Sequence, residues 1–433
     1  TDRRVRFSGL GYATLAQDGS GHLEFTGDTV NQNDWGYGLL LTGSTAGTAE
    51  FSGIIGEGST TSNNVLKQGT GTWTLSGNNT YSGGTEVQAG TLKLDRSGGA
   101  LNDSGSVNVT GGTLELAQSD TVGDVTLSSG SITGAGTLTA NSITANNGGG
   151  TTTISAELGG SGSLTKSGAG QLNVTTTSDS FSGAVAIDGG VVYVDADNAL
   201  GTGTITMADG TTLGNGNASR SLDNDIALNG DVQLGIGNSR QLIFNGDIDL
   251  GSSDRVVSIS TGGNGNFQME FYGNIVGSGG LILDDANANS FFGFRNSANT
   301  YAGDVTLRDG NLVIAGNDPL GSGTLIVEGG NILTQGIQSR HFDNDVQVNA
   351  DFGLYAYGSG AIEANGSVDL GGATRTITLY GFDSTGSKRV LNGVVSNGGL
   401  VLAANNNETN SLNLSGVNTY TGDTVIGVDT TLR

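Results

Sequence analysis

The stretch "GTWTLSGNNTYSGGTEVQAGTLKL", residues 71–94, holds two short alternating runs on either side of a polar, glycine-containing turn. Trp73 and Leu75 alternate with threonines in the first run. Val87, Ala89, Leu92 and Leu94 alternate with mostly polar neighbours in the second. A period of two over three to five residues, broken by Gly, Asn or Ser, is the signature of short half-buried strands. The same grammar returns in "GSVNVTGGTLEL" (105–116) and "GDVTLSSGSI" (123–132). Val87 to Val107 is 20 residues, Val107 to Val125 is 18, and Leu92 to Leu114 is 22. A turn-to-turn spacing near 20 is one rung of a solenoid.

Longer repeats lie above this one. "LGTGTITMADGTTL" from Leu200 matches "LGSGTLIVEGGNIL" from Leu320, and "SRSLDNDIALN" from Ser219 matches "SRHFDNDVQVN" from Ser339, each pair 120 residues apart. Residues 194–313 and 314–433 therefore read as one duplicated unit. The turn in the opening stretch recurs as "SDSFSG" from Ser178, "ANTYAG" from Ala298 and "VNTYTG" from Val417, with Tyr81, Phe181, Tyr301 and Tyr420 as its aromatic positions.

Composition agrees. Of 433 residues, 78 are Gly, one is Pro and none is Cys, and charged residues make up 13%. Disordered chains are rich in proline and poor in β-branched residues; this chain is the reverse. Proline cannot donate to a strand ladder, so a single Pro in such a length points to strands paired on both edges. One rung cannot bury its apolar side alone. Stacked in parallel about 4.8 Å apart, rungs pair above and below and enclose ladders of Val, Ile and Leu. The expected architecture is all-β: one parallel solenoid over residues 1–433, with about 20 residues per rung and on the order of 20 rungs, and it reads as a fragment of a longer chain.

The net charge is −24, from 41 acidic and 17 basic residues. That opposes nucleic acid, which needs a basic footprint, and anionic membrane surfaces. No apolar run is long enough to cross a bilayer as a helix. The lack of Cys excludes thiolate chemistry and a disulfide framework, and suits a chain that crosses an envelope unfolded.

Residues 66–94 closely resemble the autotransporter-associated β-strand repeat of type V secreted passenger domains: a Gly-rich lead, an alternating strand, Ser-Gly, an Asn-Thr-Tyr-Ser-Gly turn, and a strand ending in Gly-Thr-Leu. A second copy falls near 163–194. There Phe181 replaces Tyr and the Asn-Thr is missing; in the copy from 417, Asp429 stands where the turn Gly is expected. The resemblance implies a right-handed β-helix displayed on the surface of a Gram-negative bacterium, or secreted, with a C-terminal translocator barrel outside these residues. It implies a non-enzymatic role in adhesion, aggregation or as a stalk, with host or bacterial glycans or proteins, or further copies of itself, as partners. A self-assembling filament and a carbohydrate-active enzyme on the same scaffold are the alternatives.

Candidate sites are few. The aromatic series Tyr81, Phe181, Tyr301 and Tyr420 reads either as corner packing or as a sugar-stacking strip; Trp73, Leu172, Phe292 and Leu412, just before that turn, read as core. Asp223 with Asp225, and Asp343 with Asp345, lie two apart, which on a strand puts both carboxylates on one side. They are candidate Ca²⁺ ligands, or an Asx-rich corner near Arg220 and Arg340. No other cofactor is expected. His22, near Asp18, and His341 are the only histidines; in a chain this rich in Ser and Asp such neighbours arise by chance, and Ser221 takes the place of His341 in the duplicate. Ligand contact is sought in the least repetitive segments, 1–65 and 254–300.

Overall fold

A computed structural model describes residues 2, 4–7, 11–31, 37–44, 47–57, 62–216, 218–236, 240–260, 268–285, 290–334, 336–356, 360–381, 388–405 and 410–433. Parts of the two least repetitive segments lie outside these residues. Every regular element described is a strand, and the pairings are parallel. The chain divides into two compact units, Thr1–Thr206 and Met207–Arg433.

In the first unit, one stack of strands runs through His22, Thr48, Thr72, Thr91, Thr113, Ser131, Thr153, Asn173 and Tyr193, each in register with the next. Successive offsets are 26, 24, 19, 22, 18, 22, 20 and 20 residues. A second stack runs through Val65–Lys67, Thr85–Val87, Val107–Val109, Val125–Leu127, Ile143–Ala145 and Leu164–Lys166. The first residues of the long strands Asp120–Gly134 and Thr137–Ala145, with the short strand Glu157–Gly159, form part of a third.

The second unit is built the same way. One stack passes through Thr211, Val232, Val257 and Leu283, and another through Gln241–Phe244, Gln268–Phe271, Phe291–Phe294 and Asn311–Ile314. The fold is a parallel β-solenoid of about 17 turns, with about 22 residues per turn. The turn is longer than the expected 20 because some rungs carry longer arcs, the offsets in the first unit running from 18 to 26 residues.

The alternation explains the core. In Thr72–Leu75, Thr91–Leu94 and Gln171–Val174 every second residue is buried. Trp73, Leu75, Leu92, Leu94, Leu172 and Val174 are all 1% exposed or less, so each apolar residue lies on its counterpart one rung away. Burying a Val, Leu, Ile or Phe contributes roughly 1.5–3 kcal/mol, and backbone pairing satisfies the amides that go inside with it. In the second unit Phe244, Phe271 and Phe294 stack with centroids 5.9 and 5.3 Å apart.

Candidate functional site

Three kinds of corner hold the rungs together. The first is built on a buried lysine. Lys67 closes the strand Asn64–Lys67 and is 0% exposed. Its Nζ donates to the carbonyls of Gln68 (2.7 Å), Gly69 (3.1 Å) and, one turn later, Ala89 (2.9 Å). Lys166 repeats the device on Ser167 (2.7 Å), Gly168 (2.7 Å) and Gly189 (3.1 Å). An ammonium has three donors and no acceptor, so three carbonyls use it fully. Gly90 (φ +63°) and Gly190 (φ +68°) make room: a Cβ on either would fall 2.7 or 2.9 Å from the ammonium and within 2.5 Å of two carbonyl oxygens. Burial without a counter-ion pushes Lys67 down to about 8 and lowers Lys166 as well. In the second unit Arg389, also 0% exposed, donates through Nε and Nη2 to the Tyr380 carbonyl at 3.0 and 2.5 Å.

The second corner is the Asn-Thr-Tyr turn. Asn79 Oδ1 accepts the Ile55 N–H of the preceding rung (2.8 Å), and its Nδ2 donates to the Ala100 carbonyl of the following one (2.8 Å). Asn299 does the same between Ile275 N–H (2.7 Å) and the Pro319 carbonyl (2.6 Å). Asn418 accepts from Val395 N–H (2.9 Å). Ser178, where the Asn is missing, accepts from Leu158 N–H (3.1 Å). Tyr81, Phe181 and Tyr301 lie at this corner and are 2% exposed or less, while Tyr420 is half-buried. Tyr81 Oη meets Thr85 Oγ1 at 2.7 Å and Tyr420 Oη meets Thr424 Oγ1 at 3.0 Å. The Tyr301 hydroxyl is buried with no partner. Burial raises the phenols of Tyr81 and Tyr301. Trp73, Leu172, Phe292 and Leu412 are all core, and Trp73 Nε1 donates to the Thr42 carbonyl (2.8 Å).

The third corner is acidic. Asp223 and Asp225 lie in the bend between the strands Arg220–Leu222 and Ile226–Leu228, not on a strand. Asp223 Oδ1 accepts from Asn245 Nδ2 (2.7 Å), and Asp225 Oδ1 from Asp247 N–H (2.9 Å). Asp343 accepts from Asn365 Nδ2 (2.7 Å), and Asp345 from Ser367 N–H (2.8 Å) and Oγ (2.6 Å), bonds that lower Asp345. Each carboxylate thus caps the rung that follows it. The structure also brings Asp318, His341 and Asp343 together, with possible ligand atoms all within 4.8 Å of one another and His341 Nε2 3.1 Å from Asp318 Oδ2. The positions 120 residues earlier carry Asn198, Ser221 and Asp223. His22 pairs instead with Thr48 (Nδ1 to Oγ1, 2.8 Å) and lies 4.0 Å from Glu24.

A cleft of about 620 Å³ opens in the first unit, lined by Gly11, Tyr12, Tyr37, Gly38, Ser62, Asn64 and Gly83. Tyr12, Gly38 and Asn64 occupy one register position on successive rungs. The Tyr12 ring lies flat across Gly38, where a Cβ would meet it at 2.1 Å, and Asn64 Nδ2 donates to its hydroxyl (2.9 Å). Half of Tyr12 stays exposed. Tyr37, stacked on Phe7 at 5.5 Å, is buried and its hydroxyl has no partner. A fixed ring face beside amide and hydroxyl groups can stack on the C–H face of a sugar and bond its hydroxyls. The sequence put ligand contact in segment 1–65 but did not single out Tyr12. The asparagines stand at corners, as the sequence has them, but their bridging of two rungs has no sequence signal; the only signal of the corner lysines is the recurrence of Lys67 and Lys166 ahead of matching turns.

Three stretches, residues 65–94, 164–194 and 407–427, match the passenger-associated-transport-repeat model. The chain is also similar to the adhesin BmaC autotransporter of Brucella suis biovar 1 (strain 1330), 30% identical over 333 residues. That alignment covers 73% of this chain, and the chain spans about a tenth (9%) of the relative. No solved structure matches.

Proposed function

We infer, from a chain that is an autotransporter passenger segment with passenger-associated-transport-repeats, a non-enzymatic adhesive role at the bacterial surface. Secretion across the outer membrane brings the segment there, with a translocator barrel elsewhere in the polypeptide. The stacked rungs act as scaffold, and the Tyr12 cleft is the contact surface for a surface glycan. One observation carries this reading: a half-exposed tyrosine ring is pinned by Asn64 across Gly38, in a cleft also lined by Ser62. The name of the relative supports adhesion. The acidic net charge of −24 supports a neutral or basic ligand over a polyanion.

The test is binding of the purified chain to a glycan array and to cultured cells, beside Tyr12→Ala. A loss of about tenfold, equivalent to about 1.4 kcal/mol, with the circular dichroism spectrum unchanged, is expected from removing the ring face. Binding untouched by the substitution removes the cleft from the reading. A chain that binds neither array nor cells acts as a stalk.

A further inference from the structure

Asp120 stands at a corner equivalent to that of Asn79. Its Oδ2 accepts the N–H groups of Ala100 (2.8 Å) and Leu101 (3.2 Å) from the preceding rung, as Asn79 Oδ1 accepts that of Ile55. The asparagine corners then use their amide nitrogen to reach the following rung. An ionised aspartate has no donor for that second half. Asp120 is 3% exposed, and its Oδ1 is buried without a hydrogen-bond partner. Gly99 (φ +93°) leaves open the space beside that oxygen; a Cβ there would lie 2.8 Å from Oδ1.

Asp120 also lines a cleft of about 360 Å³ with Ser97, Gly98, Gly99, Asp103, Gln118, Ser119, Thr121 and Thr139; its Oδ1 lies beneath that lining, beside Gly99. Asp103 supplies a second, exposed carboxylate. Among the described residues no ion pair reaches either acid; the nearby Arg96 is engaged with the carbonyls of Gly98 (3.3 Å) and Gly99 (2.5 Å). We propose that this cleft is a Ca²⁺ site, in which Asp120 Oδ1 and Asp103 are the anionic ligands and the Ser119 and Gln118 side chains and water complete an all-oxygen shell. Hard cations of this size take six to eight oxygens in adaptable geometry, which a wide polar cleft with two carboxylates and no nitrogen or sulfur ligand suits. The ion does for Asp120 what the amide N–H does for Asn79: it answers the second oxygen. Burial, chiefly, with the Asp103 charge added, pushes Asp120 up to about 6, so cation and proton compete for one position.

The experiment uses the full 433-residue chain stripped with chelator, at pH 7.5. Melting temperature and calorimetric heat are followed as CaCl₂ is added, with MgCl₂ as control, for the native chain, Asp120→Asn and Asp103→Asn. The native chain is expected to bind with a dissociation constant in the 10⁻⁴–10⁻³ M range of sites with few carboxylates and to melt higher as Ca²⁺ rises. Asp120→Asn restores the missing donor; it should fold without Ca²⁺, melt at or above the apo native chain, and show no Ca²⁺ shift. Asp103→Asn should weaken binding about tenfold or more. The proposal fails if Ca²⁺ leaves the native chain unmoved, or if the two variants shift as far as the native chain does. A melting temperature that responds to pH near 6 and not to Ca²⁺ assigns the position to a proton alone, and also overturns it.

Discussion

Replacing Lys67 by Met keeps the length and apolar stem of the side chain and removes only its ammonium. The carbonyls of Gln68, Gly69 and Ala89 then lose their shared donor. A buried acceptor left unmatched costs about 1–3 kcal/mol; three at the low end of that range come to ~3 kcal/mol. Met spares the desolvation of the charge, so the net loss expected is below that sum, about 1–3 kcal/mol. Solenoid rungs lean mainly on their neighbours, so the loss is local and a global midpoint would dilute it. Hydrogen exchange reads it directly at the Gln88 and Ala89 amides, both of which donate to the Lys67 carbonyl. Protection there should fall by between about 5-fold and about 150-fold. Lys93→Met is the control, because Lys93 is half-buried and faces Asp95 at 3.1 Å, a surface pair worth about 0–1 kcal/mol. The sign with pH is a second check. Lys67 sits near 8 in the fold and near 10.5 unfolded, so between those values the unfolded chain holds more protons and the stability of these rungs rises with pH. That rise should vanish in Lys67→Met. Equal protection in the two variants at pH 7 would refute a structural role for the buried cation.

Gly90→Ala should destabilise the same corner by at least ~2 kcal/mol, from left-handed backbone at φ +63° plus contact with two carbonyls, read by the same exchange experiment. Tyr301→Phe should be neutral or raise the melting temperature slightly, since its buried hydroxyl has no partner, whereas Tyr81→Phe breaks the 2.7 Å bond to Thr85 and should cost about 1 kcal/mol in urea unfolding. Glu270→Gln should lower stability by about 1–3 kcal/mol, because Glu270 is 3% exposed and holds Arg295, itself partly exposed, through two bonds, one of them Nη2 to Oε1 at 2.7 Å; a loss under ~0.5 kcal/mol would contradict this.

Much of the architecture was legible because alternation and turn chemistry are local. Trp73, Leu75, Leu92 and Leu94 declare an inward face on their own, and Gly, Asn and Ser mark the bends. What escaped depends on neighbours one rung away. "GSVNVTGGTLEL" reads as two strands with a glycine break, yet Val107–Leu116 is one strand whose register shifts around Thr110. Nothing in the sequence marks Lys67 as buried, since a lysine is almost never buried without a partner; its partners are backbone carbonyls, which no residue letter reveals. Asn79 reads as a turn former, and only stacking shows its two ends serving two different rungs. The acidic pairs were read as strand neighbours sharing a side, while the structure gives each its own donor on the following rung. The Tyr12 cleft needs Gly38 directly beneath the ring, a coincidence of register between residues 26 apart.

The lysine corners have a consequence for where and when such a chain can hold together. Many small extracellular folds rely on a disulfide or a captured ion, and both must be supplied by the surroundings: an oxidant in one case, a sufficient free concentration in the other. Here the cross-tie is a cation that arrives already bonded to the polymer. Its last acceptor, Ala89, is 22 residues downstream of Lys67. The tie is therefore complete as soon as one further turn has emerged, whatever the redox state or salt of the medium, and it is remade each time the chain is unravelled and allowed to wind again.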